Sequence, residues 1–585
     1  MQGSKKILTF APMKNGILIT LALLCMTTTT MAKKTKTVTL RLIETSDVHG
    51  AFFPYDFIER KSMPGTMARV STYLKRQRQQ YGQNLILVEN GDILQGQPTC
   101  YYTNYVKTDL PNVAAEVVNY LQYDAQTFGN HDVETGHAVY DKWIRELNCP
   151  TLGANIIDTR TGEPYVQPYL MLERQGVRVA ILGMLTPAIP NWLHENLWSG
   201  LRFEEMVGCA KKWVKHLKEV EKADVIIGLF HSGWDGGIAT MHYDEDASKK
   251  VAEQVDGFDV IFFGHDHTEN HQTINGVLCL DPSCNAIKVA QATLTCTKMK
   301  GQWTVSQKQG EIVDIRGEAL DEDYTRHFQP QMDSVRNYVE RQIGTFLSPI
   351  RSRDAFFGSA PFTDYIHQLQ LEESHADISM NAPLVFDTEI KAGPVYMSDM
   401  FKLYRYENQI YTLRMTGREV RLMLEMSYDQ WVNTMKSPDD HIMLLTDHSY
   451  IDKQRMGFKN LTFNFDSAAG IDYVVDVTKP DGQKVTILQM SDGRPFDENA
   501  WYKVAMNSYR GNGGGELLSR GAGIPMSEIP SRIIWMSEHD QRYYLTQKIM
   551  REKNVEAKAL NNWRFVPEEW AGPAIERDRK LLFHD

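Results

Sequence analysis

Five short apolar runs between residues 37 and 317 constrain the fold of this chain more than any other feature. They read VTLRLIETSD, NLILVENGD, VRVAILGM, ADVIIGLFHSG and FDVIFFGHDH. Each has the length and composition of a buried strand, and the segments between them are long enough for helices. The alternation predicts an α/β layered domain over residues 37–318. A chain of 585 residues has room for roughly two to four domains.

Side chains of metal-binding type follow four of these runs and one further segment, FGNHD. They form five clusters in chain order: Asp47 with His49, Asp92, Asn130 with His131, His231, and His265 with His267. A single Asp or His at a strand end is more often a cap or a turn residue. Five clusters in one ordered pattern favour a metal site, because strand ends in layered α/β domains gather loop residues.

The ligand types suit two divalent cations, and Mn, Zn, Fe, Co and Mg all remain open. One carboxylate can bridge two cations about 3.5–4 Å apart, which then hold the attacking and leaving oxygens of a phosphoryl displacement. Water between two cations loses a proton readily and becomes a nucleophile. His131 then has a separate role, as proton donor to the leaving alkoxide or as stabiliser of charge on the phosphoryl oxygens.

A polar segment joins this first domain to a second one. Apolar side chains recur in it at three- and four-residue spacing, which predicts a linker helix within residues 319–345. These side chains are Met332, Val335, Val339 and Ile343. A second α/β domain is predicted over residues 346–567, with strands in QIYTLRMTG and NLTFNFD and a helix in GREVRLMLEMSYDQW. Residues 568–585 are predicted as a C-terminal tail.

The N-terminus predicts a signal peptide over residues 1–32. A basic region precedes the apolar residues 17–25, which are too few to cross a bilayer, and small residues follow at a cleavage position. A lipid anchor on Cys25 is the alternative, disfavoured because Leu24 stands where lipoprotein signals have a small residue. No later stretch is long and apolar enough to span a membrane. We therefore expect an exported protein, in the periplasm or at the cell surface.

Export permits disulfides, and the closely spaced Cys279, Cys284 and Cys296 are the best candidates for one. The sequence does not determine the pairing. None of the cysteines after Cys25 has zinc-site spacing, so the predicted metal site does not use them.

The net charge of −11 limits the partners of the chain. An acidic chain lacks the broad basic surface of a protein that binds duplex DNA or RNA. A small anion can still bind where a metal ion supplies local positive charge. We expect a small-molecule substrate and no duplex nucleic acid, and the oligomeric state stays open.

The order of the five clusters resembles that of calcineurin-like metallophosphoesterases. In the second half, KLYRYENQIYTLRMTGREVRLMLEMS, TFNFDSAAGIDYVVDVT and MNSYRGNGGG are similar to the C-terminal domain of the 5′-nucleotidase family. The resemblance covers essentially the whole chain after residue 32. It implies an N-terminal β-sandwich flanked by helices and a C-terminal α/β domain that binds a nucleoside.

The resemblance also implies the role of each cluster. One metal would be bound by Asp47, His49, Asp92 and His267. The other would be bound by Asp92, Asn130, His231 and His265, so that Asp92 bridges the two. His131 is the implied catalytic histidine, and Glu134 stands where the family has an Asp that forms a dyad with it. Asp132 is expected to point elsewhere.

Two aromatic rings are implied to hold the nucleoside base. Tyr509 matches one ring, and the other falls within TFNFD at Phe463 or Phe465. The local match favours Phe463, and a core position is the alternative for Phe465. Many 5′-nucleotidases carry a Gly-Gly-x-Arg segment near NAPLVFDTEIKAG, which this chain lacks; Arg405 and Arg510 are the candidate substitutes.

Within the family, LEMS, NFD…GIDY…DVT and SYRGNGGG are most similar to the 2′,3′-cyclic-nucleotide 2′-phosphodiesterase/3′-nucleotidase branch. The implied reaction is attack of a metal-activated hydroxide on phosphorus. The alternatives are a 5′-nucleotidase or UDP-sugar hydrolase, a phosphoesterase for proteins or lipids, and a surface binding protein without activity. No expected ligand is missing, which argues against the last of these.

Overall fold

A computed structural model describes residues 36–447 and 456–584. The predicted signal peptide, with Cys25, lies outside these residues. Across the described part of the chain, no helix combines the length and the apolar character that crossing a membrane requires.

Two six-stranded sheets form the centre of the first half. In spatial order, the first sheet contains Gln302–Asp314, Lys288–Met299, Lys36–Thr45, Leu85–Glu89, Ala125–Thr127 and Thr151–Leu152. The second contains Asn270–Ile274, Val277–Asp281, Val260–Phe263, Val225–His231, Val177–Leu185 and Tyr169–Arg174. Each sheet has four parallel strands. All five apolar runs are strands, as predicted.

The sheets pack face to face, with helices on their outer sides. In the strand Lys36–Thr45, Leu40 and Leu42 pack against Ile181 and Ile227 of the other sheet, whereas Ile43 packs with the outer helices. This alternation follows from the two-residue period of a strand. The outer helices are Met67–Tyr81, Val113–Leu121, His137–Glu146, Met206–Glu219 and Ser248–Gln254. The α/β fold class and the β-sandwich flanked by helices are confirmed.

The linker helix spans Glu322–Val339, which is shorter than residues 319–345. The Asp321 side chain caps its first turn, and Met332, Val335 and Val339 pack into the core of the first half. Ile343 lies beyond the helix, in the strand Gln342–Phe346, and packs in a different core.

The second half is built on a five-stranded sheet of Ser467–Ala469, Ile378–Asn381, Trp501–Asn507, Gln409–Thr416 and Ile533–Asp540. Two three-stranded sheets flank it: Gly393–Tyr396, Gln342–Phe346 and Asn554–Val555, and Val485–Met490, Ile471–Asp476 and Trp563–Val566. Its main helices are Pro361–Ser374, Met397–Leu403, Gly417–Trp431, Gln541–Glu552 and Glu568–Phe583. The predicted strand in QIYTLRMTG and the helix after it are both present.

Three details differ from the expectations. The segment TFNFD is not a strand, because Thr462–Asn464 forms a 3-10 turn. The residues predicted as a tail form the helix Glu568–Phe583, whose Ala571 and Leu582 pack into the core of the second half. All six described cysteines are free, so the disulfide expected among Cys279, Cys284 and Cys296 does not form in this structure. The domain boundaries stay predictions.

Candidate active site

The loops that follow the parallel strands meet at one edge of the two sheets. The backbone N–H of Asp47 donates to the carbonyl of Gly91, and that of His49 to the carbonyl of Asp92, both at 3.0 Å. Gly91 has φ 86°, and a Cβ at this position would lie 2.6 Å from the carbonyl carbon of Phe128. Glycine therefore permits three loops to approach one another closely.

Four side chains converge on a first ligand group: Asp47, His49, Asp92 and His267. Nε2 of His267 lies 3.2 Å from Oδ1 of Asp47 and 3.0 Å from Nε2 of His49. Nε2 of His49 lies 3.9 Å from Oδ2 of Asp92. These are the four residues expected at the first metal.

Asp92 also belongs to a second ligand group, with His231 and His265. Its Oδ2 lies 3.3 Å from Nε2 of His231. Oδ1 of Asn130 completes this group, at 3.2 Å from Nε2 of His231 and 2.8 Å from Nδ1 of His265. The structure thus brings together all the residues expected at the second metal, with Asp92 between the two groups.

Backbone carbonyls orient two of the histidines. Nδ1 of His231 lies 2.6 Å from the carbonyl of Asn90, and Nδ1 of His49 lies 3.2 Å from the carbonyl of Gln95. Each Nδ1–H donates to its carbonyl, so that Nε2 has a free lone pair for a cation.

The chemistry of this donor set fits divalent cations. Asp47 and Asp92 are buried, and their ion pairs within the described residues are all with histidines. Buried carboxylates without Lys or Arg are costly unless a cation neutralises them. Left-handed backbone, which non-glycine residues rarely adopt, occurs at five ligand positions with φ between 47° and 82°: Asp47, His49, Asp92, His265 and His267. These residues can hold two divalent cations that share Asp92.

His131 stands beside the ligand groups without belonging to either. Its Nδ1 lies 2.6 Å from Oε2 of Glu134, at the end of the short helix Asn130–Glu134. Its backbone N–H donates to Oδ1 of Asp92 at 2.9 Å. Burial by itself lowers the pKa of His131, but the Asp92 and Glu134 carboxylates outweigh burial and raise it to about 9. The longer Glu134 side chain therefore reaches the histidine as a family Asp would.

Asp132 has a role that sequence reasoning missed. Its buried carboxylate accepts four backbone N–H groups at 2.7–3.0 Å, from Asp92, Ile93, Leu94 and Gly129. It points away from the metal centre, as expected, but it holds the loop that carries the shared ligand Asp92. Its position directly after Asn130 and His131 is the only sequence signal for this role.

A cavity of about 770 Å³ opens on the metal centre and is lined by both halves of the chain. The first half contributes His131 and Trp192, and the second contributes Tyr406 and Asn512. Nδ2 of Asn512 donates to the carbonyl of Trp192 at 3.3 Å, which links the two halves at the cavity wall.

Phe463 and Tyr509 both line this cavity. Their ring centroids are 6.0 Å apart and their planes are at 89°. The pair is therefore edge to face, and no parallel slot for a base is open between the rings.

The other three predicted substrate contacts lie away from the cavity surface. Phe465 is buried in the core of the second half, where it stacks on Trp431 with centroids 5.2 Å apart. Phe463 lies within the 3-10 turn Thr462–Asn464 and lines the cavity, whereas Phe465 follows the turn and enters the core, so the two rings do not share a face. Arg405 is exposed and outside the cavity lining, although its carbonyl accepts a hydrogen bond from Arg542 at 2.7 Å.

Arg510 is buried and forms an ion pair with Asp466 at 3.0 Å. Its Nη2 donates to the carbonyl of Phe463 at 2.9 Å, and its Nη1 to the carbonyl of Gly514. Arg510 therefore holds the segments that carry Phe463 and Tyr509 rather than facing the cavity.

Comparisons with known proteins agree with this architecture. Residues 40–269 match the calcineurin-like phosphoesterase family, and residues 342–520 match the 5′-nucleotidase C-terminal domain. The chain is 28% identical over 594 residues to the trifunctional nucleotide phosphoesterase protein YfkN of Bacillus subtilis, covering 91% of this chain but only 39% of that protein. It is 26% identical over 607 residues to the 2′,3′-cyclic-nucleotide 2′-phosphodiesterase/3′-nucleotidase of Haemophilus influenzae, covering 92% of this chain and 89% of that protein.

A crystal structure from Staphylococcus aureus, provisionally described as a 5′-nucleotidase, has a TM-score of 0.75 to this chain at 21% identity. The match covers 90% of this chain and 99% of that one, so the two share a fold. The two family matches, their order along the chain and the two ligand groups all indicate the same two-domain architecture with a metal centre in the first domain. The chain belongs to the 5′-nucleotidase family of calcineurin-like phosphoesterases and is a metal-dependent phosphoester hydrolase.

Proposed function

We propose that the chain hydrolyses phosphoester bonds of nucleotides, with 2′,3′-cyclic nucleotides and 3′-nucleotides as preferred substrates. The observation that carries this proposal is a single cavity in which metal ligands and the aromatic side chains of Phe463 and Tyr509 face the same space. Three relatives named as 2′,3′-cyclic-nucleotide 2′-phosphodiesterase/3′-nucleotidase, at 25–26% identity over 91–92% of this chain, support the cyclic and 3′ preference.

In this proposal the two ligand groups hold the cations at the shared Asp92. Two divalent cations held there would neutralise charge on the phosphoryl oxygens and lower the pKa of water, so that hydroxide is available to attack phosphorus. Asp132 acts as a positioning residue, because it fixes the loop of Asp92 through four backbone N–H groups.

His131 acts as the general acid. As the bond between phosphorus and the ester oxygen breaks, Nε2 of His131 gives its proton to that oxygen. Glu134 holds Nδ1 and favours the protonated ring, so the proton is present when the substrate binds.

Phe463 and Tyr509 bind the base by stacking, which tolerates any base because every base has a π-face. Since the rings are edge to face, one of them turns when the base enters. Arg510 fixes the backbone of Phe463 during this rearrangement, because its Nη2 donates a hydrogen bond to the Phe463 carbonyl. We assign no substrate contact to Arg405 or Phe465.

The test is product analysis by chromatography with the purified, manganese-loaded protein. The substrates are 2′,3′-cyclic AMP, 3′-AMP, 5′-AMP and UDP-glucose. We expect the first two to be hydrolysed fastest. His131→Ala should abolish most of this activity, whereas His137→Ala, a histidine bonded to Asp141 outside the cavity, should retain it.

Faster hydrolysis of 5′-AMP or UDP-glucose would replace the cyclic and 3′ preference with that of a 5′-nucleotidase or UDP-sugar hydrolase. No hydrolysis of any nucleotide by the metal-loaded protein would overturn the nucleotide proposal as a whole.

We also propose that the chain is exported and loses residues 1–32. The basic and apolar order of this segment supports the proposal. N-terminal sequencing of the protein from fractionated cells should begin near residue 33. A mature chain that begins at Cys25 and carries labelled fatty acid would establish the lipid anchor instead.

A further inference from the structure

Acidic side chains line much of the cavity among the described residues. Eight of the lining residues are Asp or Glu, and none is Lys or Arg. Three of these acids, Glu407, Glu538 and Asp540, come from the second half and belong to no metal-ligand group found among the described residues. Cations held at the metal centre would neutralise its own carboxylates but not these three, of which only Glu407 has an ion pair, with Arg542, among the described residues.

Tyrosine rings line the cavity together with these acids. Tyr105 and Tyr543 are 39% and 38% exposed, which is high for large aromatic side chains, and both face the cavity. Tyr406 also lines it, with its ring plane within 7° of that of His131 and the centroids 6.4 Å apart. We call Tyr105, Tyr406, Glu407, Glu538, Asp540 and Tyr543 the tyrosine–carboxylate pocket. It adjoins the catalytic histidine.

One carboxylate oxygen in this pocket has no partner. Oε1 of Glu407 accepts from Nη1 of Arg542 at 3.0 Å, but its buried Oε2 accepts no hydrogen bond from the described residues. The Glu407 side chain is 9% exposed and lines the cavity. Arg542 therefore compensates only one oxygen of this carboxylate, and a positive charge in the adjoining cavity is favoured.

Arg542 does not neutralise the pocket as a whole. Its guanidinium lies 3.9 Å from the ring centroid of Phe401 and 4.8 Å from that of Tyr101, and it donates to the carbonyl of Arg405. It is buried behind Glu407 and outside the cavity lining. Glu538 and Asp540 have no ion pair with a Lys or Arg in the described residues.

We propose that the tyrosine–carboxylate pocket binds an ammonium group carried on the second ester arm of a phosphodiester substrate. Carboxylates beside exposed aromatic faces are the combination that recognises quaternary and alkyl ammonium groups. The nucleoside arm occupies the Phe463 and Tyr509 side, and the ammonium arm extends past His131. This inference rests on the proposed function, because it uses the same metal centre and adds a determinant of substrate choice.

The test compares two p-nitrophenyl phosphodiesters with the manganese-loaded full chain. One carries a choline arm, and the other carries a 3,3-dimethylbutyl arm of the same shape without charge. In both, water adds to phosphorus, the bond from phosphorus to the aryl oxygen breaks, and p-nitrophenolate is released. We expect kcat/KM to be about tenfold higher for the choline diester. The ratio should fall as salt rises, because salt screens the carboxylates.

The readout is the ratio of kcat/KM for the choline diester to kcat/KM for the 3,3-dimethylbutyl diester, measured separately in each variant. Losses of metal or of folded protein affect both substrates equally and leave this ratio unchanged. Tyr105→Ala and Glu538→Gln should each bring the ratio down to about twofold. Glu556→Gln, an exposed carboxylate paired with Lys558 outside the cavity, is the matched control and should keep the wild-type ratio.

Turnover of both diesters with a wild-type ratio near one would overturn the ammonium pocket and leave the proposed function intact. No turnover of nucleotides or diesters would overturn the proposed function itself. If the enzyme hydrolyses nucleotides but neither diester, the pocket is tested by inhibition of 3′-AMP hydrolysis. We then expect choline phosphate to inhibit about tenfold more strongly than 3,3-dimethylbutyl phosphate. Equal inhibition by the two would also overturn the pocket.

Discussion

The two walls of the cavity hold their functional side chains in different ways. On the metal wall, each ligand ends a buried parallel strand or follows one within a few residues, and hydrogen bonds such as that from Asp47 to Gly91 hold the loops together. On the opposite wall, Phe463 and Tyr509 lie on short helical turns, Thr462–Asn464 and Ser508–Gly511. The first wall is preorganised for binding cations. If it binds a base as we propose, the second would have to rearrange, because its two rings are edge to face.

The largest effect should come from substitution of Asp92, the ligand on the metal wall that both cation sites share. Asp92→Asn removes negative charge from both cation sites, so we expect kcat/KM to fall by about 10⁴-fold and bound metal to drop. Metal content is measured by inductively coupled plasma mass spectrometry. Asp141→Asn, which alters a carboxylate outside the cavity, is the control. If Asp92→Asn retains full metal content and full activity, Asp92 is not a ligand shared by the two cations.

The second prediction separates the catalytic step from metal binding, through substitutions of His131 and Glu134. His131→Ala should lower kcat by about 10³-fold with bound metal unchanged, because the general acid is lost. Glu134→Gln should lower kcat by roughly tenfold to a hundredfold, since the neutral amide no longer holds the protonated ring. A Glu134→Gln enzyme with wild-type kcat would mean that the 2.6 Å contact with His131 has no part in the reaction.

Substitutions of Phe463 and Phe465 distinguish a side chain on the wall opposite the metal centre from one in the core behind it. Phe463→Ala should raise KM for nucleotides by about tenfold, as expected for one lost stacking contact, with little change in thermal stability. Phe465→Ala should instead destabilise the protein by about 3–5 kcal/mol and leave KM nearly unchanged, because it opens a cavity in the core. Thermal melts and steady-state kinetics on both variants give the comparison. The opposite pattern would place the base contact at Phe465.

The smallest effect concerns one hydrogen bond between the two walls, from Asn512 to Trp192. Asn512→Ala removes the hydrogen bond to the carbonyl of Trp192, which should cost about 1 kcal/mol or less. We expect KM to change by no more than about threefold and kcat to stay the same. A large fall in kcat would show that this contact sets the relative position of the two walls during the reaction.

Local patterns predicted that the five clusters form one metal site, because parallel pairing brings the ends of buried strands to one edge of a sheet. The strand pattern did not assign ligands to each cation: that Asp92 and His231 meet was implied only by the resemblance to calcineurin-like metallophosphoesterases. Asp132 was missed, because its role depends on backbone N–H groups in a loop about forty residues earlier, and no local pattern reports such contacts.

Predictions for the other wall were less accurate, and the reason is again physical. In a strand Phe463 and Phe465 would share a face, but the 3-10 turn changes the rotation per residue, so that Phe463 lines the cavity and Phe465 enters the core. Ile343 continues the apolar spacing of the linker helix, although the helix has already ended at Val339. Side-chain direction beyond an element boundary depends on tertiary contacts that spacing alone does not encode.

The left-handed backbone at five ligand positions links folding to metal supply. Without cations, the chain must hold strained φ angles and two buried carboxylates whose ion-pair partners among the described residues are all histidines. A cation that binds the folded state at a hundred times its Kd adds about 2.7 kcal/mol to the free energy of unfolding. Chelation should therefore lower the melting temperature as well as activity. When divalent metal is scarce, the unfolded fraction and its cleavage by proteases would then rise, so the abundance of the protein would depend on metal supply.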